Sequence, residues 1–161
     1  MTLMEQCMSN DHKAQALVDR CPYMFEQPQM LNLYAGWLDP LETLCACIHA
    51  RLHGSAMSFQ FLQIKEKFGT CRIYFHLGLP RSEPEAEARL RELAILREAV
   101  ESDIETAQTA CGSRCMVCGR DSTTRVHGAA LATLFERHGL SERLRDPWSL
   151  AKLPITNGAQ P

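Results

Sequence analysis

The alternation of apolar and polar positions predicts a β-hairpin near the middle of the chain. In residues 59–64 one side of the alternation carries Phe59, Phe61 and Gln63, and the other carries Gln60, Leu62 and Ile64. A second alternating run covers residues 71–77, and the segment 65–70 between the two runs includes Gly69. Aromatic-rich runs of period two around a glycine-containing turn are typical of a hairpin. We expect Phe68, within this turn, to pack into the core.

Helical spacing of apolar residues predicts two helices before the hairpin. The first covers Asp11–Arg20, and the second runs from an Asp39 cap to Gly54. Between them, residues 22–36 show no sustained period. We interpret this segment as an extended, packed connection.

The longest predicted helix follows the hairpin. Ser82 and Glu85 have the spacing of a capping box. A narrow apolar stripe, interrupted by Arg97, then continues to Cys111 through Ala86, Leu90, Leu93, Val100, Ile104 and Ala107. We interpret it as a helix laid across the hairpin, with a coiled-coil arm as the alternative. A short helix is also predicted from Ala129 to His138.

These elements predict an α+β fold in a single domain, residues 1–161. Residues 11–110 would form the core, with helices packed on a small antiparallel hairpin and residues 31–34 as a candidate third strand. Residues 111–146 would form a zinc-knuckle-like Cys/His subdomain, and residues 154–161 a frayed tail. Because an isolated hairpin is only marginally stable in water, helices must cover one of its faces.

Composition and charge narrow the class of protein. The formal net charge is −2, which argues against a generic nucleic-acid binder. No run of 18 apolar residues is present, and the N-terminus lacks the basic and apolar segments of a secretory signal. We therefore expect a cytoplasmic protein whose cysteines stay reduced.

One cysteine cluster has the spacing of metal ligands. Of the eight cysteines, Cys115 and Cys118 form a Cys-x-x-Cys turn followed by a glycine. Structural zinc takes four nitrogen or sulfur ligands, and His138 is the natural third. The fourth would be Cys111, with His127 as the alternative. The competing interpretation is an empty knuckle, or one oxidised to a disulfide.

Five segments in a fixed order carry a family resemblance. They are Gly36-Trp37, Leu41 to Cys45, Gln63 to Gly69, Arg72 to Tyr74, and the Cys-x-x-Cys-Gly knuckle. This order resembles a family of small proteins encoded by phages and prophages. The resemblance covers residues 17–138 and implies a mobile-element origin, without a settled biochemical activity.

The chain departs from the family pattern near its last histidine. The family has Thr-Leu-Cys-x-x-His at this point, whereas this chain has Thr133-Leu134-Phe135-Glu136-Arg137-His138. Phe135 therefore stands where the family has a third sulfur ligand. A Cys₃His zinc site of the family type would lack one ligand here.

Five residues are candidates for binding a partner: Trp37, Lys65, Lys67, Arg72 and Tyr74. The two lysines and the arginine can form a basic ridge on one hairpin face, with Glu66 on the other. A solvated strand face is the plainer interpretation. The tryptophan marks either a contact patch or an anchor that holds a loop on the core.

No catalytic motif can be assembled from these residues, so we predict a non-enzymatic protein that binds another protein. The resemblance suggests an accessory or anti-defence factor of a mobile element, acting on a host or rival defence component. A nucleic-acid-binding module that uses the knuckle and the basic ridge is the first alternative. An immunity protein that blocks a toxin is the second.

Overall fold

A computed structural model describes residues 3–26, 31–79, 87–127, 130–139 and 152–153. Its helices are α1 Leu3–Arg20, α2 Leu38–Leu52, α3 Glu87–Gly112 and α4 Glu136–Gly139. Its strands are β1 Leu33–Tyr34, β2 Ser58–Lys67, β3 Thr70–Gly78, β4 Thr124–His127, β5 Ala130–Thr133 and β6 Lys152–Leu153. The strands form three antiparallel pairs, β1 with β6, β2 with β3, and β4 with β5. The predicted α+β class is confirmed.

The β2–β3 hairpin contains a bulge that the alternation did not reveal. Phe61 pairs with Phe75 but Gln63 pairs with Tyr74, so Leu62 is an extra residue in β2. A bulge residue reverses the side on which the following residues point. Ile64 is consequently buried with Phe61, and the prediction that Gln63 shares the face of Phe61 was wrong.

The inner face of this hairpin forms the centre of the hydrophobic core. The ring centroids of Phe25 and Phe61 are 5.3 Å apart, and Phe59 stacks on Phe75 at 5.6 Å. The buried residues of α2 and α3 join this core: Leu38, Leu41, Leu44, Cys45, Ile48, Val100, Ile104, Ala107 and Cys111. The helices thus cover one face of the hairpin, as its stability requires.

Side chains and a neighbouring segment contact both edges of the hairpin. Along β3, Gln108 accepts a hydrogen bond from the Ile73 amide at 2.9 Å, and Arg97 donates to the Leu77 carbonyl at 2.6 Å. Along β2, the amide of Asn32 donates to the carbonyl of Ile64 at 2.7 Å. An open sheet edge invites pairing with another chain, and these contacts occupy part of each edge.

Several predicted boundaries are corrected by the structure. Helix α1 begins at Leu3 rather than at Asp11. The candidate third strand meets β2 in a single bridge from Leu31, while β1 pairs with β6. The predicted helix from Ala129 to His138 is shorter than expected, because residues 130–133 form strand β5 paired with β4, and the helix begins only at Glu136. Short apolar runs fit either element, and only the pairing partner decides between them.

Some predictions fall on residues that the structure does not describe. They include the capping box at Ser82 and Glu85, the end of the predicted knuckle subdomain at 140–146, and the tail at 154–161. Within the described part of the chain, no helix is both long and apolar enough to cross a membrane.

Candidate metal centre and exposed hairpin

A tight turn directly after α3 presents the two cysteines of the knuckle. The amide of Gly119 donates to the carbonyl of Cys115 at 2.8 Å, and the amide of Cys115 donates to the carbonyl of Arg120 at 2.7 Å. Gly119 has a φ of 73°, a left-handed conformation that glycine adopts without steric cost. The Cys-x-x-Cys-Gly sequence therefore forms this turn by local backbone chemistry.

Three predicted ligands come together in the folded chain. The ligand atoms of Cys115, Cys118 and His138 all lie within 4.8 Å of one another. The sulfur of Cys115 is 3.2 Å from Nδ1 of His138. Two thiolates and one imidazole suit a borderline divalent metal ion. The prediction that these residues are close enough to bind a metal is confirmed.

The surroundings of the triad raise the pKa of one candidate ligand and lower the pKa of another. Burial raises the pKa of the Cys118 thiol, and a hydrogen bond from the Arg120 backbone amide opposes this shift. Burial, then the charges of Arg120 and Arg137, lower the pKa of His138. A lowered histidine pKa favours the neutral imidazole, which is the form that binds a metal.

Neither candidate for the fourth ligand joins the triad. Cys111 is fully buried in the last turn of α3, and its thiol hydrogen-bonds that of Cys71 on β3, raising the pKa of Cys71. His127 lies at the end of β4, outside the ligand cluster. Among the described residues, the cluster of ligand atoms thus contains neither Cys111 nor His127. Spacing alone suggested Cys111, but its position on the core face of a helix directs the thiol away.

Phe135 packs beside the knuckle, where the resemblance predicted a third sulfur ligand. It packs partly buried against the core, and the Arg120 guanidinium lies over its ring at 5.1 Å. Its carbonyl accepts a hydrogen bond from the His138 amide at 2.7 Å, which starts the turn that carries the histidine. An arginine–aromatic contact thus occupies this corner of the knuckle.

The knuckle is held on the core by a close backbone approach at Gly36. The Gly36 amide donates to the Met116 carbonyl at 2.8 Å. A Cβ at this glycine would lie 1.8 Å from the carbonyl oxygen of Cys115. On the other side, the Met116 amide donates to the Thr133 carbonyl of β5 at 3.0 Å. Our sequence analysis missed Gly36 as a site residue, although it lies in the Gly-Trp segment that carries the resemblance.

Trp37 is a core residue and not a contact residue. Its side chain is 1% exposed and meets the ring of Tyr34 edge-on, with centroids 4.6 Å apart. A side chain buried to this extent offers no surface to a partner. The structure thus replaces the predicted partner-binding role with the loop-anchoring one.

The other four predicted contact residues share the outer face of the hairpin. Lys65 lies directly opposite Arg72, and the Lys65 ammonium is 5.0 Å from the ring centroid of Tyr74. Lys67 lies two residues further along β2. Glu66 turns inward, where it accepts a hydrogen bond from the Gly69 amide. Lys65 and Lys67 thus share one face, with Glu66 on the other.

Phe68 occupies the hairpin turn with its side chain in solvent. It is 69% exposed and has a φ of 54°, and Gly69 follows with a φ of 77°. Two positive φ values in a two-residue loop correspond to a type I′ turn. This backbone projects the first side chain outward, so the prediction of a core Phe68 was wrong.

Thr133 joins the two hairpins. Its buried hydroxyl donates to the carbonyl of Gly69 at 2.8 Å and lies 2.8 Å from the hydroxyl of Thr124. We expect Thr133→Val to lower the free energy of unfolding by about 1–3 kcal/mol, because it leaves a carbonyl without a donor. Chemical denaturation would measure this loss. The exposed Thr123→Val is the matched control and should leave the denaturation midpoint unchanged; equal effects of the two variants would contradict the assignment.

The comparisons with known proteins give no indication of function, so the function is inferred from this geometry. The resemblance to phage and prophage proteins stays a prediction. No protein-family model, no curated protein and no solved structure matches this chain.

Proposed function

We propose that this protein is a non-enzymatic factor that binds another protein in a stoichiometric complex. The exposed Phe68 at the hairpin turn carries this proposal. The resemblance points to a mobile-element factor, for which the partner is a host or rival defence component or a toxin. The metal-type knuckle would serve as the support behind the binding surface.

Phe68 is an unfavourable choice for the position it occupies. A type I′ turn prefers Asn-Gly, because an ordinary side chain in the left-handed region costs about 1–2 kcal/mol. The exposed ring gains little burial to offset this cost. Residues held in disfavoured backbone conformations cluster at functional sites. A partner pocket that receives the ring would account for both the conformation and the exposure.

Two further apolar residues extend the surface around this turn. Val126 and Leu131 are cross-strand partners on β4 and β5, 71% and 39% exposed. By alternation they share the hairpin face of Thr124 and Thr133, which lie against Gly69. We call Phe68, Val126 and Leu131 the tip patch. Aromatic residues at the centre of such a patch commonly contribute much of the binding energy of an interface.

The triad supports a structural zinc ion in this scheme. Two cysteines and a histidine are common zinc ligands, and the knuckle contacts both the Gly36 turn and β5. Strand β5 in turn holds the hairpin turn through Thr133. A metal bound here would therefore stiffen the segments that present the tip patch.

Phe68→Asn should separate binding from folding. Asparagine favours the left-handed conformation, so the free energy of unfolding should stay the same or rise by about 1 kcal/mol. Affinity for the partner should fall at least tenfold, a loss of about 1.4 kcal/mol or more. Quantitative pull-downs from host extract would identify the protein lost with the variant. Calorimetric titration of that purified partner should then saturate near one equivalent.

Ile95→Gln is the matched control, because Ile95 is a similarly exposed apolar residue on α3. It should keep the partner at full affinity. Retention of the partner by Phe68→Asn would contradict the anchor role. A complete effect at a small fraction of one equivalent, with a chemically altered partner, would show turnover and overturn the proposed function.

A further inference from the structure

The outer face of the β2–β3 hairpin concentrates positive charge in a chain whose net charge is negative. By register and alternation this face carries Gln60, Gln63, Lys65, Lys67, Thr70, Arg72, Tyr74 and His76. We call these residues the outer face. Three of them are permanent cations and none is a carboxylate, since Glu66 turns inward. Positive charge is therefore concentrated on this face, although the net charge of the whole chain is −2.

The cations of the outer face repel one another, and among the described residues no carboxylate compensates them. Lys65 and Arg72 are direct cross-strand partners, an arrangement that destabilises a sheet. Arginines elsewhere pair with carboxylates, as Arg51 does with Asp103. Among the described residues, no carboxylate lies within ion-pair distance of Lys65, Lys67 or Arg72. The fold leaves this charge available for an external anion.

An aromatic ring lies within the charged face. Tyr74 is 47% exposed, and the ammonium of Lys65 lies over its ring. Cations that follow a backbone and aromatic rings on which bases stack are the two components of single-strand binding surfaces. Along β2, Lys65 and Lys67 are two residues apart, about 6.8 Å at the rise of an antiparallel strand. A chain of phosphates can therefore contact the two lysines in succession.

We propose that the outer face binds single-stranded nucleic acid. Lys65, Lys67 and Arg72 would contact phosphates, and Tyr74 would stack on an unpaired base. An acidic protein surface would satisfy the charges but would make no use of the stacking surface of Tyr74. The site goes beyond the protein-binding function proposed above, because it lies along the strands and the tip patch lies at the turn.

Fluorescence anisotropy with a labelled oligothymidine of about 20 nucleotides tests the proposal. Binding should weaken with salt with a log–log slope of about −2, as expected for three phosphate contacts to a single strand. The double variant Lys65→Gln with Arg72→Gln should bind at least tenfold more weakly, with the slope reduced to about −0.7. The control, Lys13→Gln with Arg91→Gln, removes two exposed cations elsewhere and should bind normally.

Tyr74 provides the second arm of the test. Tyr74→Leu should weaken binding about 5- to 150-fold, while Tyr74→Phe should retain it, because only the ring is needed for stacking. Lys65→Gln should also raise the melting temperature, because it relieves the repulsion with Arg72. A loss of binding accompanied by higher stability cannot be attributed to unfolding.

Three results would each overturn the proposal. The first is no measurable binding at low salt, and the second is equal weakening by the outer-face and control double variants. The third is unchanged affinity of Tyr74→Leu together with equal competition by polyglutamate, which would assign the face to an acidic protein. Phe68 contacts Lys67, whose ammonium lies over its ring at 5.6 Å, so Tyr74→Leu separates the two sites instead: it should leave the affinity for the protein partner within about twofold. This site and the tip patch can therefore fail independently.

Discussion

Gly36→Ala is expected to cost about 3 kcal/mol or more of the free energy of unfolding. The new Cβ would lie 1.8 Å from the carbonyl oxygen of Cys115 and 2.8 Å from the amide nitrogen of Gly119. Both neighbours are backbone atoms, so no flexible side chain can move aside. Relief requires separating the Gly36 turn from the knuckle, which also breaks the hydrogen bond to the Met116 carbonyl.

The same substitution should weaken metal binding, because Cys115 itself must shift. Chemical denaturation and metal content after dialysis measure the two effects. Gly112→Ala is the matched control, since a Cβ at Gly112 meets no atom within 4 Å. That residue ends α3, where alanine is a good helix former, so the control should be neutral or slightly stabilising. An unchanged denaturation midpoint for Gly36→Ala would show that the close approach does not exist in solution.

Removal of a bound metal is expected to have the second large effect on stability. Protein prepared without chelator should hold about one zinc per chain, since two thiolates and an imidazole converge. Structural zinc contributes about 10–16 kcal/mol in small zinc-finger peptides, so even part of that would exceed any single packing contact. Chelator should therefore lower the melting temperature and release zinc from the folded protein. Elemental analysis and a colorimetric zinc indicator measure the metal.

Single substitutions distinguish ligands from neighbours. Cys115→Ser and His138→Ala should lose the metal, whereas Cys111→Ser should keep it, because that thiol faces Cys71. If the resemblance to the phage and prophage proteins holds, Phe135→Cys should tighten metal binding, since it supplies the sulfur found at this position in those proteins. Protein that contains no metal while both knuckle thiols react freely would contradict the zinc site. Loss of metal from Cys111→Ser at unchanged stability would restore Cys111 as the fourth ligand.

Local sequence patterns determined the elements that depend only on neighbouring residues. The two hairpin strands, the helix ending near Gly54 and the long helix ending at Gly112 all follow from periodicity and from terminating glycines. The ligand triad also followed from the Cys-x-x-Cys spacing and one histidine. Such signals succeed because helix and strand periods, and tight turns, are properties of short segments.

Tertiary structure decided which side chains are buried and which ones meet. Leu62 is an extra residue only relative to its partner strand, so its bulge cannot appear in a period count. Phe68 is as hydrophobic as any core residue, but the type I′ backbone of the turn holds it in solvent. By sequence alone, Trp37 could belong to a surface patch and Cys111 to a set of metal ligands. Packing placed both in the core, because burial depends on contacts between residues far apart in the chain.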